Sequence, residues 1–155
     1  MKTSHTRHKT LLIILSITLS LSAFAQSKTD DISLIIETVT NYYDGYIERD
    51  IAQLYKAFDT ENGTMKIPLD TNDSTKGFKN VFFKDVVPKW GNREKLSNTE
   101  LENCALHILN IDIEAGQIAS AKMSMKVGDV TYIDILSLNL INGDWKITNK
   151  IYHVK

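Results

Sequence analysis

Near residue 100 the spacing of apolar residues changes from a three-to-four-residue period to a two-residue period. That change limits the chain to helices followed by strands. From Asp30, the residues Ile32, Ile35, Ile36, Val39, Tyr42, Tyr43, Tyr46 and Ile47 recur at helical steps. This is the apolar stripe of an amphipathic helix. Asp30 and Asp31 suit the positive N-terminal end of that helix. Gly45 costs about 1 kcal/mol relative to Ala inside a helix, so the last turn is expected to loosen there. Asp50 followed by Gln53 resembles a capping box, and Ile51, Leu54, Tyr55 and Phe58 then repeat with helical spacing, so a second short helix is expected. A loop rich in Thr, Asn and Asp follows from Asp59 to Lys76, with Met65-Lys66-Ile67 as a candidate short strand. Phe78, Val81, Phe82 and Val86 suggest a third helix ended by Pro88, although Val-Phe-Phe would also suit a strand.

Beyond residue 100 the alternation places Leu101, Asn103, Ala105, His107, Leu109, Ile111 and Ile113 on one side of an extended segment. Ala119, Ala121, Met123, Met125 and Val127 do the same in the next segment, opposite Ser120, Lys122, Ser124 and Lys126. Val127-Gly128-Asp129-Val130 has hairpin chemistry, and Asn142-Gly143 is the strongest short hairpin signal. Between the two turns Val130, Tyr132, Asp134, Leu136, Leu138 and Leu140 alternate. Trp145, Ile147, Asn149, Ile151 and His153 then share one face of the last strand. Three helices and four long antiparallel strands make an α+β fold with a twisted sheet wrapped on its helices.

The first 25 residues carry a different message. Lys2, Arg7 and Lys9 precede the apolar stretch Leu11–Phe24, and Ala23-Phe24-Ala25 ends it. This pattern predicts a secretory signal peptide over 1–25, cut between Ala25 and Gln26, with one domain over 26–155. The apolar stretch is shorter than the roughly 20 residues of a membrane span. Three of the 18 basic residues leave with it, so 15 remain against 19 acidic ones, an excess that argues against nucleic-acid and anionic-membrane roles. A single cysteine excludes an intrachain disulfide, and packing alone must hold the fold. The mature protein is expected to be soluble, and periplasmic or secreted.

The order of these elements resembles the nuclear transport factor 2-like superfamily. More narrowly, the chain resembles the bacterial family labelled putative lumazine-binding. The matching segments are Asn41-Tyr42-Tyr43-Asp44-Gly45 with Arg49-Asp50, and Val87-Pro88-Lys89-Trp90. They continue with Tyr132-x-Asp134-x-Leu136-x-Leu138 and Gly143-Asp144-Trp145-Lys146-Ile147-x-Asn149-Lys150. The resemblance implies a cone of strongly curved antiparallel sheet closed by N-terminal helices, and a homodimer. It also implies that the first helix lines the cone, with the Tyr43 hydroxyl directed inward. The superfamily includes ketosteroid isomerase, cyclases, dehydratases and non-catalytic binders, so fold alone does not select a function.

Asp134 is the most informative residue. It sits mid-strand on the face that alternation assigns to the core, where a carboxylate must be hydrogen-bonded, paired or kept neutral. It is a candidate general base, or a neutral acid donating to an oxyanion; the bland reading ties it to Lys150, a backbone amide or a tyrosine hydroxyl. His107 is the second catalytic candidate, because an imidazole can exchange protons near neutral pH. His153 shares the apolar side of its own strand. Tyr43, Trp90, His107, Asp134 and Asn149 form the expected ligand-binding set, with Asn149 as an orienting amide. Trp145 either walls the pocket or packs. No metal-ligand spacing, nucleotide loop, Cys-x-x-Cys or nucleophile elbow occurs, so neither cofactor nor metal is expected. Cys104 alternates opposite to His107, which argues against a Cys–His pair.

Three functions remain open, ranked in this order. The first is binding of a small, partly aromatic molecule. The second is a protein-interaction module with a filled cone, for which Leu101, Leu109, Ile111, Ile113, Leu136, Leu138 and Leu140 would be the filling. The third is a cofactor-free isomerase, cyclase or dehydratase using Asp134 as acid/base.

Overall fold

A computed structural model describes residues 30–155 apart from Asn72. The segment assigned to a signal peptide, with its cut at Ala25–Gln26, lies outside the described residues. Helix α1 covers residues 30–48. Ile35, Val39, Tyr42, Tyr46 and Ile47 form its buried stripe, whereas Ile36 faces solvent. Gly45 does not loosen the helix. A Cβ there would lie 2.9 Å from both the Leu54 side chain and its backbone nitrogen, so glycine lets α1 and α2 approach closely. Helix α2, Ile51–Ala57, starts where expected, with the Asp50 carboxylate accepting from the amides of Ala52 and Gln53.

Strand β1, Thr64–Pro68, pairs antiparallel with β2, Phe78–Phe82. The latter corrects the expected helix over 78–87. Met65–Ile67 supplies an edge for Phe78–Phe82 to pair with, and that pairing outweighs the local helical spacing. Helix α3, Phe83–Gly91, begins only after this strand and runs through Pro88. Its buried face of Phe83, Val87 and Trp90 holds the helix past the hydrogen bond that proline cannot donate. A short helix α4, Asn98–Glu102, opens with a Ser97–Glu100 capping box and takes Leu101 out of the expected strand.

The remaining strands are β3, Ala105–Glu114; β4, Ile118–Val127; β5, Val130–Ile141; and β6, Asp144–Val154. The sheet order is β2-β1-β6-β5-β4-β3, antiparallel except where β1 lies parallel to β6. The β5–β6 turn has Asn142 and Gly143 both at positive φ, as the Asn-Gly signal requires. Two register shifts decide which side chains face inward. In β3, Ile108 pairs with Met123 and Asn110 with Lys122, so Leu109 is extra. In β6, Ile147 pairs with Leu138 and Asn149 with Ser137, so Thr148 is extra. Each bulge reverses the side-chain alternation beyond it.

The helices close the concave side of the curved sheet, making the α+β cone the resemblance implied. Ile35, Val39, Leu54, Phe58 and Phe83 meet Ala121, Met123, Leu136, Leu138 and Ile147 in one core. Thr38 Oγ1 donates to the Trp145 carbonyl at 3.0 Å, and Trp145 Nε1 donates to Asp31 at 3.2 Å. These bonds pin the start of α1 to β6, so Trp145 packs at that end of the sheet.

Candidate functional site

Asp134 lies mid-β5 with no exposed surface, on the inward face that alternation assigns to it. Its cross-strand partner is Tyr152, and Lys150 sits opposite Leu136, two residues along on the same face. Lys150 therefore reaches diagonally across the pair, and its ammonium donates to Asp134 Oδ2. The Tyr42 hydroxyl, arriving from α1, donates to the same oxygen at 2.9 Å and accepts from Lys150 Nζ at 2.7 Å. Thus the Lys150 and tyrosine-hydroxyl partners of the bland reading are both present. Asp134 Oδ1 has no hydrogen-bond partner among the described residues.

The electrostatics follow from burial. Burial pushes the Lys150 ammonium below its ordinary pKa, while the Asp134 charge pulls it back up. Burial first and the Asp134 charge second push the Tyr42 phenol well above its ordinary value. Tyr42 accordingly stays protonated and keeps donating to the carboxylate.

Above this cluster lies a cavity of about 160 Å³, which Lys150 and Tyr42 line and Asp134 does not. Tyr46, Trp90 and Val86 wall it from the helices, while Met65, Ile67 and Met125 wall it from the sheet. Tyr132, Tyr152 and Arg93 complete the lining. Trp90 stacks on Tyr42 at 6.1 Å between ring centroids, and Tyr46 meets Trp90 edge-on at 5.6 Å. Arg93 Nη1 donates to the Tyr46 hydroxyl at 2.5 Å, and its guanidinium lies 5.4 Å from that ring's centroid. The Tyr132 phenol is pushed up by burial and then by its hydrogen-bonded neighbour Tyr46, with Arg93 pulling it down. Burial and the Asp134 charge push the Tyr152 phenol up as well.

Of the five expected ligand-binding residues, the structure brings Trp90 to the cavity and Asp134 beneath it. Tyr43 is not among the lining residues. It is one residue, about 100° of helical turn, away from Tyr42, and lies half-buried beside Cys104. His107 stands on the exposed face of β3, because inward positions before the Leu109 bulge belong to Leu106 and Ile108. It therefore forms no acid/base pair with Asp134. Asn149 falls after the Thr148 bulge and turns outward, donating to Thr64 Oγ1 at 3.0 Å and to the Thr64 carbonyl at 3.2 Å. His153 is exposed for the same reason. Cys104 lies outside β3, and its thiol donates to the Glu100 carbonyl.

Sequence reasoning names Lys150 only as a partner of Asp134, and leaves Tyr42, Tyr46, Tyr152, Tyr132 and Arg93 out of the ligand-binding set. The three-and-four spacing Ile35-Val39-Tyr42-Tyr46 carries a signal for Tyr42 and Tyr46, since it marks the centre of the stripe. Lys150 and Tyr152 turn inward only through the bulge. Leu136 and Leu138 fill the cone as expected, but Leu109 and Leu140 are exposed, and the 160 Å³ space remains. Among the described residues no group of three or more His, Cys, Asp or Glu side chains is placed to hold a metal ion.

The family model described as "Putative lumazine-binding" matches residues 30–153. The chain belongs to that family. Solved structures similar to this member include a nuclear transport factor 2-like protein of unknown function from Shewanella baltica, 20% identical with a TM-score of 0.67. That match covers 82% of this chain and 95% of the other. A second such protein of unknown function, from Methylobacillus flagellatus, is 27% identical with a TM-score of 0.61, covering 81% and 93% of the two chains. A third, from Silicibacter pomeroyi, is 13% identical with a TM-score of 0.67, covering 83% and 98%. No curated protein matches this family member. The family and the fold together make this a small-molecule-binding domain.

Proposed function

We propose that the protein is exported and binds its ligand in the cavity above the Tyr42–Asp134–Lys150 cluster. The observation that supports this reading most is the cavity itself. Aromatic rings and methionines wall a space that also meets a buried ammonium and a buried phenol. A few placed polar groups in an apolar concavity are the usual composition of a ligand site. Here Asp134 is a positioning residue: it holds Lys150 and Tyr42 in place from behind the cavity wall. The basic, apolar and small-residue pattern of residues 1–25 supports export to the periplasm or beyond.

Native mass spectrometry of the full-length chain after export tests the reading. An N-terminus at Gln26 and a co-purified small molecule are the expected results. The decisive variant is Val86→Trp, which fills the cavity from a partly buried wall position. Loss of the bound mass in that variant, with the fold intact by circular dichroism, supports the cavity as the site. Retention of the ligand would place it elsewhere.

The assembly is proposed to be a homodimer, as the resemblance implies. Support comes from the outer sheet face, where the cross-strand partners Ile135 and Ile151 are 45% and 39% exposed.

A further inference from the structure

The charges around the cavity are unbalanced in a way that selects a ligand. Lys150 is matched by Asp134, the carboxylate buried behind it. Arg93 also lines the cavity, but among the described residues no carboxylate lies within ion-pair distance of its guanidinium. Among the described residues its guanidinium donates to a phenol, Tyr46. Two cations against one carboxylate leave a positive charge over, and that charge sits on the exposed residue of the two. A guanidinium fork matches a planar carboxylate through paired N–H donors.

The size of the space restricts the ligand further. An engineered apolar cavity of about 150 Å³ takes up benzene. At about 160 Å³, this one has room for a single six-membered ring. A fused two-ring system such as a pteridine overfills it and would project through its open side. The walls suit a ring, with Trp90, Tyr42 and Tyr152 offering aromatic faces and edges.

We infer that the site takes a monocyclic aromatic carboxylate, its ring inside the cavity and its carboxylate on Arg93. This inference rests on the proposed cavity-binding function and adds the ligand's charge and size to it. The Lys150–Tyr42 floor then meets the far edge of the ring and favours a hydrogen-bond acceptor there.

The test uses methyl-labelled methionine in the full-length chain recovered after export. Met65 and Met125 line the cavity, whereas Met123 is fully buried outside it and serves as an internal control. Benzoate, benzamide, benzene and 2-naphthoate are titrated separately while the methyl resonances are followed. Benzoate is expected to shift Met65 and Met125 at least tenfold more tightly than benzamide, leaving Met123 in place. Arg93→Gln should remove that tenfold preference, and 2-naphthoate should bind more weakly than benzoate. Benzamide binding as tightly as benzoate, or an undiminished preference in Arg93→Gln, would overturn the anionic class while leaving the cavity reading standing. Entry of 2-naphthoate as tight as benzoate would overturn the size limit. Unmoved Met65 and Met125 with every probe, benzene included, would overturn both the class and the cavity reading.

Discussion

Asp134 and Lys150 are nearly without exposed surface, and each makes the other tolerable. Removing one partner of such a pair leaves a buried charge uncompensated, at a cost of about 3–5 kcal/mol. Asp134→Asn should therefore lower the unfolding free energy by that amount in urea titrations, even though the amide can still accept from Tyr42. Asp134→Asn combined with Lys150→Met should recover most of the loss, because the double variant buries no charge. Additive losses in the double variant would show that the pair's geometry, rather than its charge balance, carries the stability. Tyr42 adds a pH dependence of known sign. Its folded pKa is raised above the unfolded value, so its contribution is fully present below pH 10 and declines as pH rises beyond that. The stability advantage of wild type over Tyr42→Phe should hold up to about pH 10, then shrink by as much as about 1.4 kcal/mol per pH unit. An advantage that stays flat to pH 11 would contradict a raised Tyr42 pKa.

At the scale of elements, local preference and tertiary contact compete openly. Helix propensity alone predicts that Gly45→Ala stabilises α1 by about 1 kcal/mol. The packing predicts the reverse, since the new methyl would meet the backbone nitrogen of Leu54 at 2.9 Å. Overpacking of that kind costs about 1–3 kcal/mol, so net destabilisation of up to about 2 kcal/mol is expected in chemical denaturation. Asp50→Ala tests the start of α2 in the same assay and should cost about 1 kcal/mol, because two amides lose their acceptor. The Thr148 bulge is the element feature with the greatest consequence. It turns Lys150 toward Asp134 and Asn149 toward Thr64. Without it Asp134 would be buried opposite an outward-facing lysine.

For the molecule as a whole, the sheet's two faces have separate tasks. Its concave face holds the core and the cavity, while its outer face offers Ile135 and Ile151. If that face joins two copies, Ile135→Lys should convert the dimer to monomer in sedimentation experiments without altering the cavity methionine resonances. A monomeric wild type, or a dimer indifferent to Ile135→Lys, would remove the outer face from the assembly. The net negative charge of the chain after residue 25 makes the positive excess at Arg93 a local feature, which concentrates its effect at one mouth.

Sequence alone determined what depends on near neighbours. The stripe of α1, the Asp50 cap, the Asn142-Gly143 turn and the inward placement of Asp134 each follow from a few adjacent residues. Period and turn chemistry act over that range, so they can be read directly. Tertiary structure decided the rest. Phe78–Phe82 became a strand because β1 was there to pair with it, and β1 itself lies parallel to a strand some 80 residues later. The bulges at Leu109 and Thr148 depend on register between strands, which no single strand encodes. One extra residue in β6 exchanged Asn149 for Lys150 at the site, since a two-residue period reverses completely with a shift of one.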